Sequence, residues 1–204
     1  MQQYKKDFID LAVAQNVLRF GDFTLKSGRK SPYFFNAGDF KTGEAISKLA
    51  TAYANAIHSN VDGFENVVLF GPAYKGIPIA AAVSAKLYEL YGVSVPFAYN
   101  RKEAKDHGEG GTLVGAKITE SSRVIVTEDV ITAGTAIKET TAILAGVSAK
   151  IESVFVLLDR MEQRDVDATI HSIVNIKEVM EYLDLDEENR KRMEAYLAEY
   201  SQIN

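Results

Sequence analysis

The chain has 204 residues, of which 47% are hydrophobic and 25% charged, with a formal net charge of −5 at pH 7. That length and apolar content exclude a disordered chain and suffice for one globular domain, residues 1–204, with a substantial core. The acidic balance argues against a general nucleic-acid surface, so any anion site must be local.

The chain contains no cysteine, which excludes disulfides and thiolate metal ligands and is compatible with a reducing cytoplasm. Its histidines, His58, His107 and His171, are too scattered for a zinc signature. The opening MQQYKKDFIDLAVAQ alternates charged and apolar residues as an amphipathic helix does and lacks the apolar core of a signal peptide, so export is not expected. Phe8, Leu11, Ala12, Gln15 and Leu18 keep helical spacing, and this helix is expected to end near Gly21. Residues 23–25 and 33–36, on either side of a Ser-Gly turn, are predicted as the short strands of a hairpin. After them the rhythm changes. Residues 42–58 read as a helix, NVVLF as a buried strand, residues 77–90 as a helix and VSVPFAYN as a strand. The longest apolar run, IPIAAAVSA, falls well short of the roughly 20 residues of a membrane span, so no membrane partner is expected. Gly108, Gly110 and Gly111 mark a loop, TLVG a short strand, RVIVTE a strand, residues 135–144 a helix and IESVFVLLD another strand. Residues 177–203 read as two short amphipathic helices with a structural role, DEENRKR forming a solvated face.

Short β-branched strands alternating with helices predict an α/β fold with a mostly parallel sheet covered on both faces. Ligands of such sheets bind beyond the carboxyl ends of the strands, which directs attention to the residues just after NVVLF, FAYN, VIVTED and VFVLLD.

The stretch VIVTEDVITAGTA, residues 124–136, delivers two acids, Glu128 and Asp129, from a buried strand into a loop of small and hydroxyl residues that opens a helix. Such a loop offers backbone N–H groups, hydroxyls and a favourable dipole to a phosphate. The acids would repel that phosphate unless the ligand also carries hydroxyls, a condition a ribose phosphate meets. A strand-end acidic pair before a Gly-containing helix start is also common in α/β proteins generally. Four further segments carry complementary chemistry. In FGPAYKGIP, Gly71 and Gly76 allow a tight turn and Lys75 adds charge, although an ordinary Gly-Pro turn looks the same. RKEAKDHGEGG places Arg101, Lys102, Lys105 and His107 before three glycines, the composition of a lid or of a solvated charged loop. TLKSGRKSPYFFNAG combines Lys26, Arg29 and Lys30 with Phe34 and Phe35, suited to a flat anionic heterocycle, with one Phe expected in the core by strand alternation. VFVLLDR ends in Asp159 and Arg160, either a surface ion pair or a carboxylate-binding guanidinium.

VIVTEDVITAGTA closely resembles the 5-phosphoribosyl 1-pyrophosphate (PRPP) signature of the type I phosphoribosyltransferases, and its DVITAGTA form looks like the orotate branch of that family. Many members carry two aspartates where this chain has Glu128 and Asp129, and the longer acid is read as a tolerated variant. The resemblance covers most of the chain from Thr24 to Arg160. It implies the family's fold, a mostly parallel sheet flanked by helices, with a small N-terminal hood at about 1–40 and a flexible catalytic lid at about 101–111. It implies Mg²⁺-dependent transfer of phosphoribose from PRPP to orotate, giving orotidine monophosphate and pyrophosphate, in pyrimidine nucleotide synthesis. Lys102, Lys105, His107 and Asp129 are implied as catalytic; Lys26, Phe34, Phe35, Thr132 and Arg160 as contacts to orotate. Tyr74, Lys75, Arg101, Lys102, Lys105, His107 and the run Glu128, Asp129, Val130, Ile131, Thr132, Ala133, Gly134, Thr135 and Ala136 are implied as contacts to PRPP. The Mg²⁺ is expected to be held mainly by PRPP and water rather than by protein ligands. A cytoplasmic homodimer is implied, with the lid acting on the neighbouring subunit's site. A purine or other pyrimidine transferase would share residues 128–136 but not Lys26 and the Phe34-Phe35 segment. A regulatory protein that binds PRPP without catalysis would not need the basic lid.

Overall fold

Most strands of this protein carry apolar side chains on both faces, and the fold results from covering both. The computed structural model describes residues 1–25, 28–105 and 111–201. In chain order these form α1 (Gln3–Ala14), β1 (Leu18–Thr24), β2 (Lys30–Phe35), a 3₁₀ turn (Ala37–Asp39), α2 (Gly43–Asn60), β3 (Val67–Gly71), α3 (Gly76–Tyr91), β4 (Phe97–Lys105) and β5 (Gly111–Gly115). Then come β6 (Arg123–Ile131), α4 (Thr135–Ala145), β7 (Lys150–Asp159), β8 (Thr169–Asn175), α5 (Ile176–Tyr182) and α6 (Glu187–Tyr200). The main sheet has the order β5-β4-β3-β6-β7-β8, and β1 with β2 makes a separate hairpin. All pairings in the main sheet are parallel except β4 with β5, so the expected mostly parallel α/β architecture is present.

Alternation along each strand sorts the core into two layers. Val67, Leu69, Ile125, Phe155 and Leu157 point to the layer that α1, α2 and α3 cover. Val68, Phe70, Val124, Val126, Val154 and Val156 point to the opposite layer, under Ile137 and Leu144 of α4. Helix starts are fixed locally: the Thr42 hydroxyl accepts from the Ala45 N–H at 3.2 Å to open α2, and Asn175 and Glu178 form a reciprocal capping box on α5. Among the described residues no helix is long and apolar enough to cross a membrane.

The sheet has one switch point. From β3 the chain passes through α3 to β4 on one side, whereas β6 returns to the other side of β3. The carboxyl ends of β3 and β6 therefore lie side by side with connections leaving in opposite directions, which opens a crevice between them.

Several boundaries differ from the sequence reading. The first helix stops at Ala14 rather than near Gly21, because Asn16 takes a positive φ of 56° and buried Val17 and Leu18 start the hairpin instead. That hairpin is longer than expected, pairing Leu18 with Phe35 through to Thr24 with Lys30, with a register irregularity between Phe20 and Phe23. The strand expected at VSVPFAYN begins only at Phe97, after Pro96, and runs on to Lys105. Residues 101–105 are thus strand, and residues 106–110 of the expected lid lie outside the described residues. β8, an edge strand, was not anticipated; its alternation is blurred by polar Thr169, His171 and Ser172.

Helix α2 reaches the end of β6 through Tyr53. The fully buried Tyr53 donates its hydroxyl proton to the Glu128 carbonyl at 2.5 Å, fixing the end of β6 from below. Replacing Tyr53 by Phe removes that buried hydrogen bond, at a cost of about 1–2 kcal/mol. The Tyr53→Phe protein is expected to melt roughly 3–8 °C lower than the unsubstituted one in a calorimetric scan. An unchanged midpoint would show that the bond carries no weight.

Candidate active site

The crevice is occupied first by the loop between β6 and α4. Ile131 ends the strand with its side chain buried, and Gly134 then caps α4 at a φ of +79°. A Cβ on Gly134 would stand 2.1 Å from Val166 Cγ2, so the turn needs glycine for conformation and for space. Thr132, Ala133 and Thr135 are exposed, and a recess of about 90 Å³ lies among Glu128, Val130, Thr132, Gly134, Thr135 and Ala136. No side chain caps α4, whose first turn faces this recess with its backbone donors and positive dipole end. The side chain of Ile131 packs into the core with Ile137, so its share in the recess is limited to backbone.

The two acids at the end of β6 are half-buried and differently engaged. Glu128 turns an Oε1 back to accept the Asp129 N–H at 3.1 Å. Asp129 accepts from the Val130 N–H at 2.8 Å and from Lys75 Nζ at 2.8 Å. Burial, and then the neighbouring Asp129 carboxylate, push the Glu128 carboxyl up to about 8 from an ordinary 4.5.

Lys75 comes from the loop after β3. Here Gly71 and Gly76 meet backbone to backbone: a Cβ on Gly71 would lie 2.2 Å from the Gly76 carbonyl oxygen, and one on Gly76 would lie 2.6 Å from Pro72 Cδ. The peptide between Ala73 and Tyr74 is cis. The Ala73 N–H donates to Asn100 Oδ1 at 2.9 Å, which ties this loop to β4. Tyr74 projects into solvent with Lys102 Nζ 5.2 Å from its ring centre, and half-buried Arg101 precedes Lys102 on the same strand. Lys75 also donates to Asn36 Oδ1 at 3.4 Å, so the hairpin region, the β3 loop and the β6 acids converge on one ammonium group.

Beside these lies a cleft of about 1060 Å³ whose walls include Arg29, Phe35, Lys75, Asp129, Thr132 and Arg160. Strand alternation decides between the two phenylalanines. Phe35 lines the cleft and packs back against Phe8 with ring centres 6.5 Å apart. Phe34 points the other way, 5.5 Å from Phe23 with the Arg19 guanidinium 5.0 Å from its ring, and is not among the residues lining the cleft. Arg160 is buried rather than a surface residue. Its Nε donates to Glu162 at 2.6 Å and its Nη2 to the Tyr196 hydroxyl at 2.9 Å, while its guanidinium lies 4.4 Å from the Tyr33 ring centre. Asp159, its predicted neighbour, instead pairs with Arg164 through two bonds of 2.6 and 2.9 Å.

Asp129, Val130, Thr132, Ala133, Lys75, Phe35 and Arg160 of the predicted site are therefore gathered in one cleft, with Glu128, Thr135 and Ala136 around the adjoining recess. Lys26, His107 and the Lys105 side chain lie outside the described residues. Sequence reasoning missed Glu162, Tyr196 and Tyr200, and noted Arg29 only as part of a basic cluster. The tyrosines are four residues apart on α6 and so share one helical face, a pattern legible in the sequence but hidden behind the charge run DEENRKR.

The geometry can be set beside known proteins. A phosphoribosyl transferase domain model matches residues 36–187. Orotate phosphoribosyltransferases of Haemophilus influenzae and Pseudomonas aeruginosa are 44% and 48% identical to the chain, each match covering 98% of this chain and 99% of the relative. The crystal structure of orotate phosphoribosyltransferase from Francisella tularensis superposes with a TM-score of 0.82 at 40% identity, covering 96% of this chain and 99% of that one. Near-complete coverage in both directions leaves no major segment of either protein unmatched, and the matched region contains the recess, the acids and the glycine-built β3 loop. The chain belongs to the orotate phosphoribosyltransferase family of the type I phosphoribosyltransferases.

Proposed function

We propose that this enzyme transfers the ribose 5-phosphate group of PRPP to a ring nitrogen of orotate, yielding orotidine 5′-monophosphate and pyrophosphate, in pyrimidine nucleotide synthesis in the cytoplasm. The observation that carries the reading is the convergence, at one switch point, of an anion-binding helix start, a carboxylate pair and a cleft walled by guanidinium groups. The 5-phosphate fits the recess before α4. The ribose hydroxyls, one sugar length away, fit as donors to Glu128 and Asp129. Pyrophosphate fits the loop at residues 71–76, where Lys75 exchanges Asp129 for the leaving group.

As the bond from the anomeric carbon to pyrophosphate breaks, positive charge grows on the sugar and negative charge on the departing oxygens. The carboxylates lie beside the first charge, and Lys75, Arg101, Lys102, Lys105 and His107 are assigned to the second. The ring nitrogen of orotate forms the new bond to the anomeric carbon as the bond to pyrophosphate breaks, and its proton passes to solvent. No covalent nucleophile is required. The donor set at residues 128 and 129 is hard oxygen, which fits Mg²⁺, and a cation there relieves the crowding of the two acids. Among the described residues no cluster of three or more metal-ligating side chains occurs. Glu128 and Asp129 would hold the ion through water and ribose hydroxyls, with PRPP oxygens supplying most of its coordination. When bound, it supplies charge neutralisation of the pyrophosphate.

A homodimer in which the basic segment 101–107 serves the partner's site is part of the proposal. Tyr88 and Leu90, in the last turn of α3, are 65% and 44% exposed large hydrophobic side chains.

The direct test adds PRPP, Mg²⁺ and orotate and monitors orotate consumption optically. Orotate is expected to disappear while uracil and hypoxanthine persist; inert orotate, or equal use of hypoxanthine, would reject the assignment. Trans action is tested by subunit exchange between Lys105→Ala and Asp129→Asn proteins, each expected to be nearly inactive. A fully exchanged equal mixture should regain up to about a quarter of the starting activity, since about half of its dimers are mixed and one of the two sites in each receives intact parts from both chains, and verified mixed dimers without any recovery would exclude it. The Glu128 carboxyl, raised in the folded state, is fully tolerated below pH about 4.5 and destabilises increasingly as pH climbs through about 8. Glu128→Gln is therefore expected to leave the ligand-free melting temperature nearly unchanged at pH 5 and to raise it on the order of 5 °C at pH 9. A difference that shrinks with rising pH would contradict the sign.

A further inference from the structure

Deep in the cleft, a single buried carboxylate is shared by two guanidinium groups. Glu162, 4% exposed, accepts from Arg29 Nη2 at 2.5 Å and from Arg160 Nε at 2.6 Å. The Tyr196 hydroxyl donates to the same carboxylate at 2.8 Å and accepts from Arg160 Nη2 at 2.9 Å. Arg160 also donates to Ser31 Oγ at 3.4 Å. The Arg29 guanidinium lies 4.6 Å from the ring centre of Tyr200, which walls the cleft, and its Nε is buried with no partner among the described residues.

The charges do not cancel. Two guanidinium groups and one carboxylate leave one net positive charge, in a part of the cleft where water is scarce and its effect is strong. Glu199 also borders the cleft, but it is exposed and screened by solvent. Arg29 and Arg160 would repel each other without Glu162, and their planes would be free to turn without Tyr196 and Tyr200. The device is built from the hairpin turn, the end of β7 and the last helix. It is well suited to hold one small planar anion with a carboxylate substituent.

We propose that Arg29 is a second guanidinium contact to the anionic substituent of the acceptor base. Glu162 and Tyr196 act as positioning residues that orient Arg29 and Arg160 toward it. This rests on the reading of the acceptor as orotate. Glu162 gives the proposal a distinctive sign. Replacing it with Gln raises the local charge from one to two, which by charge alone would tighten an anion; loss of positioning weakens it instead.

The test measures KM for orotate and for PRPP, kcat, and the orotate-to-uracil preference in the unsubstituted protein and in Arg29→Gln, Arg29→Lys, Glu162→Gln and Tyr196→Phe. Arg29→Gln is expected to raise the orotate KM roughly tenfold or more and to lower the orotate-to-uracil preference, with the PRPP KM within about twofold. Arg29→Lys should recover part of the loss. Glu162→Gln should raise the orotate KM despite the added positive charge, and Tyr196→Phe, which changes no charge, should raise it about threefold or more. An unchanged orotate KM in Arg29→Gln removes the second contact, and a lowered one in Glu162→Gln removes the positioning role. If Glu162→Gln does not fold, Tyr196→Phe decides that role alone, and an unchanged orotate KM there overturns it. Orotate neither bound nor consumed by the unsubstituted protein would overturn the assigned reaction and this proposal with it, whereas normal turnover with an insensitive Arg29 overturns the proposal alone.

Discussion

Two adjacent carboxyl groups at the end of a strand that is otherwise buried are an unfavourable arrangement, and much of the site is organised around them. Glu128 and Asp129 repel each other in a place that solvates charge poorly, and the raised titration of Glu128 expresses that tension. Relief comes from two directions: the backbone donors of residues 129 and 130, and Lys75 from the neighbouring strand end. None of these satisfies the pair as fully as a ligand with hydroxyls and a divalent cation would. On the proposed function, the ligand-free site is held in a state that binding would improve, at the cost of some stability in its absence.

The lysine that quiets Asp129 is also what joins the site together. It reaches Asp129 only because β3 and β6 are neighbours, and it can leave the β3 loop at that height only because Gly71 and Gly76 touch without side chains between them. Asn100 anchors the same loop to β4, and Asn36 brings the hairpin region to the same ammonium group. The groups proposed to handle the donor and the leaving group are consequently placed by the sheet itself. The proposed acceptor side is assembled differently, from a hairpin turn, a strand end and a terminal helix held by buried ionic contacts, the kind of network that is costly when broken.

The donor half was legible in the sequence because it is local. VIVTEDVITAGTA places strand, acids, anion loop and helix start within thirteen consecutive residues, and FGPAYKGIP does the same for the second loop. The parallel sheet was equally readable, since strands buried on both faces appear as unbroken apolar runs. Edge strand β8 escaped because Thr169, His171 and Ser172 interrupt its apolar residues and dilute the period. The acceptor half escaped in part because it depends on contacts between residues far apart in the chain. Arg29 meets Glu162 and Arg160 meets Tyr196, and neither pair leaves a mark on local spacing. Alternation correctly assigned one of Phe34 and Phe35 to the core without saying which, and the outcome is that core-packed Phe35 is also the one at the cleft.

This difference in locality has a temporal side. The strands and loops proposed to grip the donor lie between Val67 and Ile137, whereas Tyr196 and Tyr200 belong to the last helix. On a ribosome the chain emerges amino end first, so the elements assigned to phosphate and ribose are available well before α6 can dock against the hairpin. On the proposed assignments, selection of the base is the final property this protein acquires as it is made, and a chain interrupted before α6 would hold the proposed means to bind a sugar phosphate without the complete means to choose what receives it.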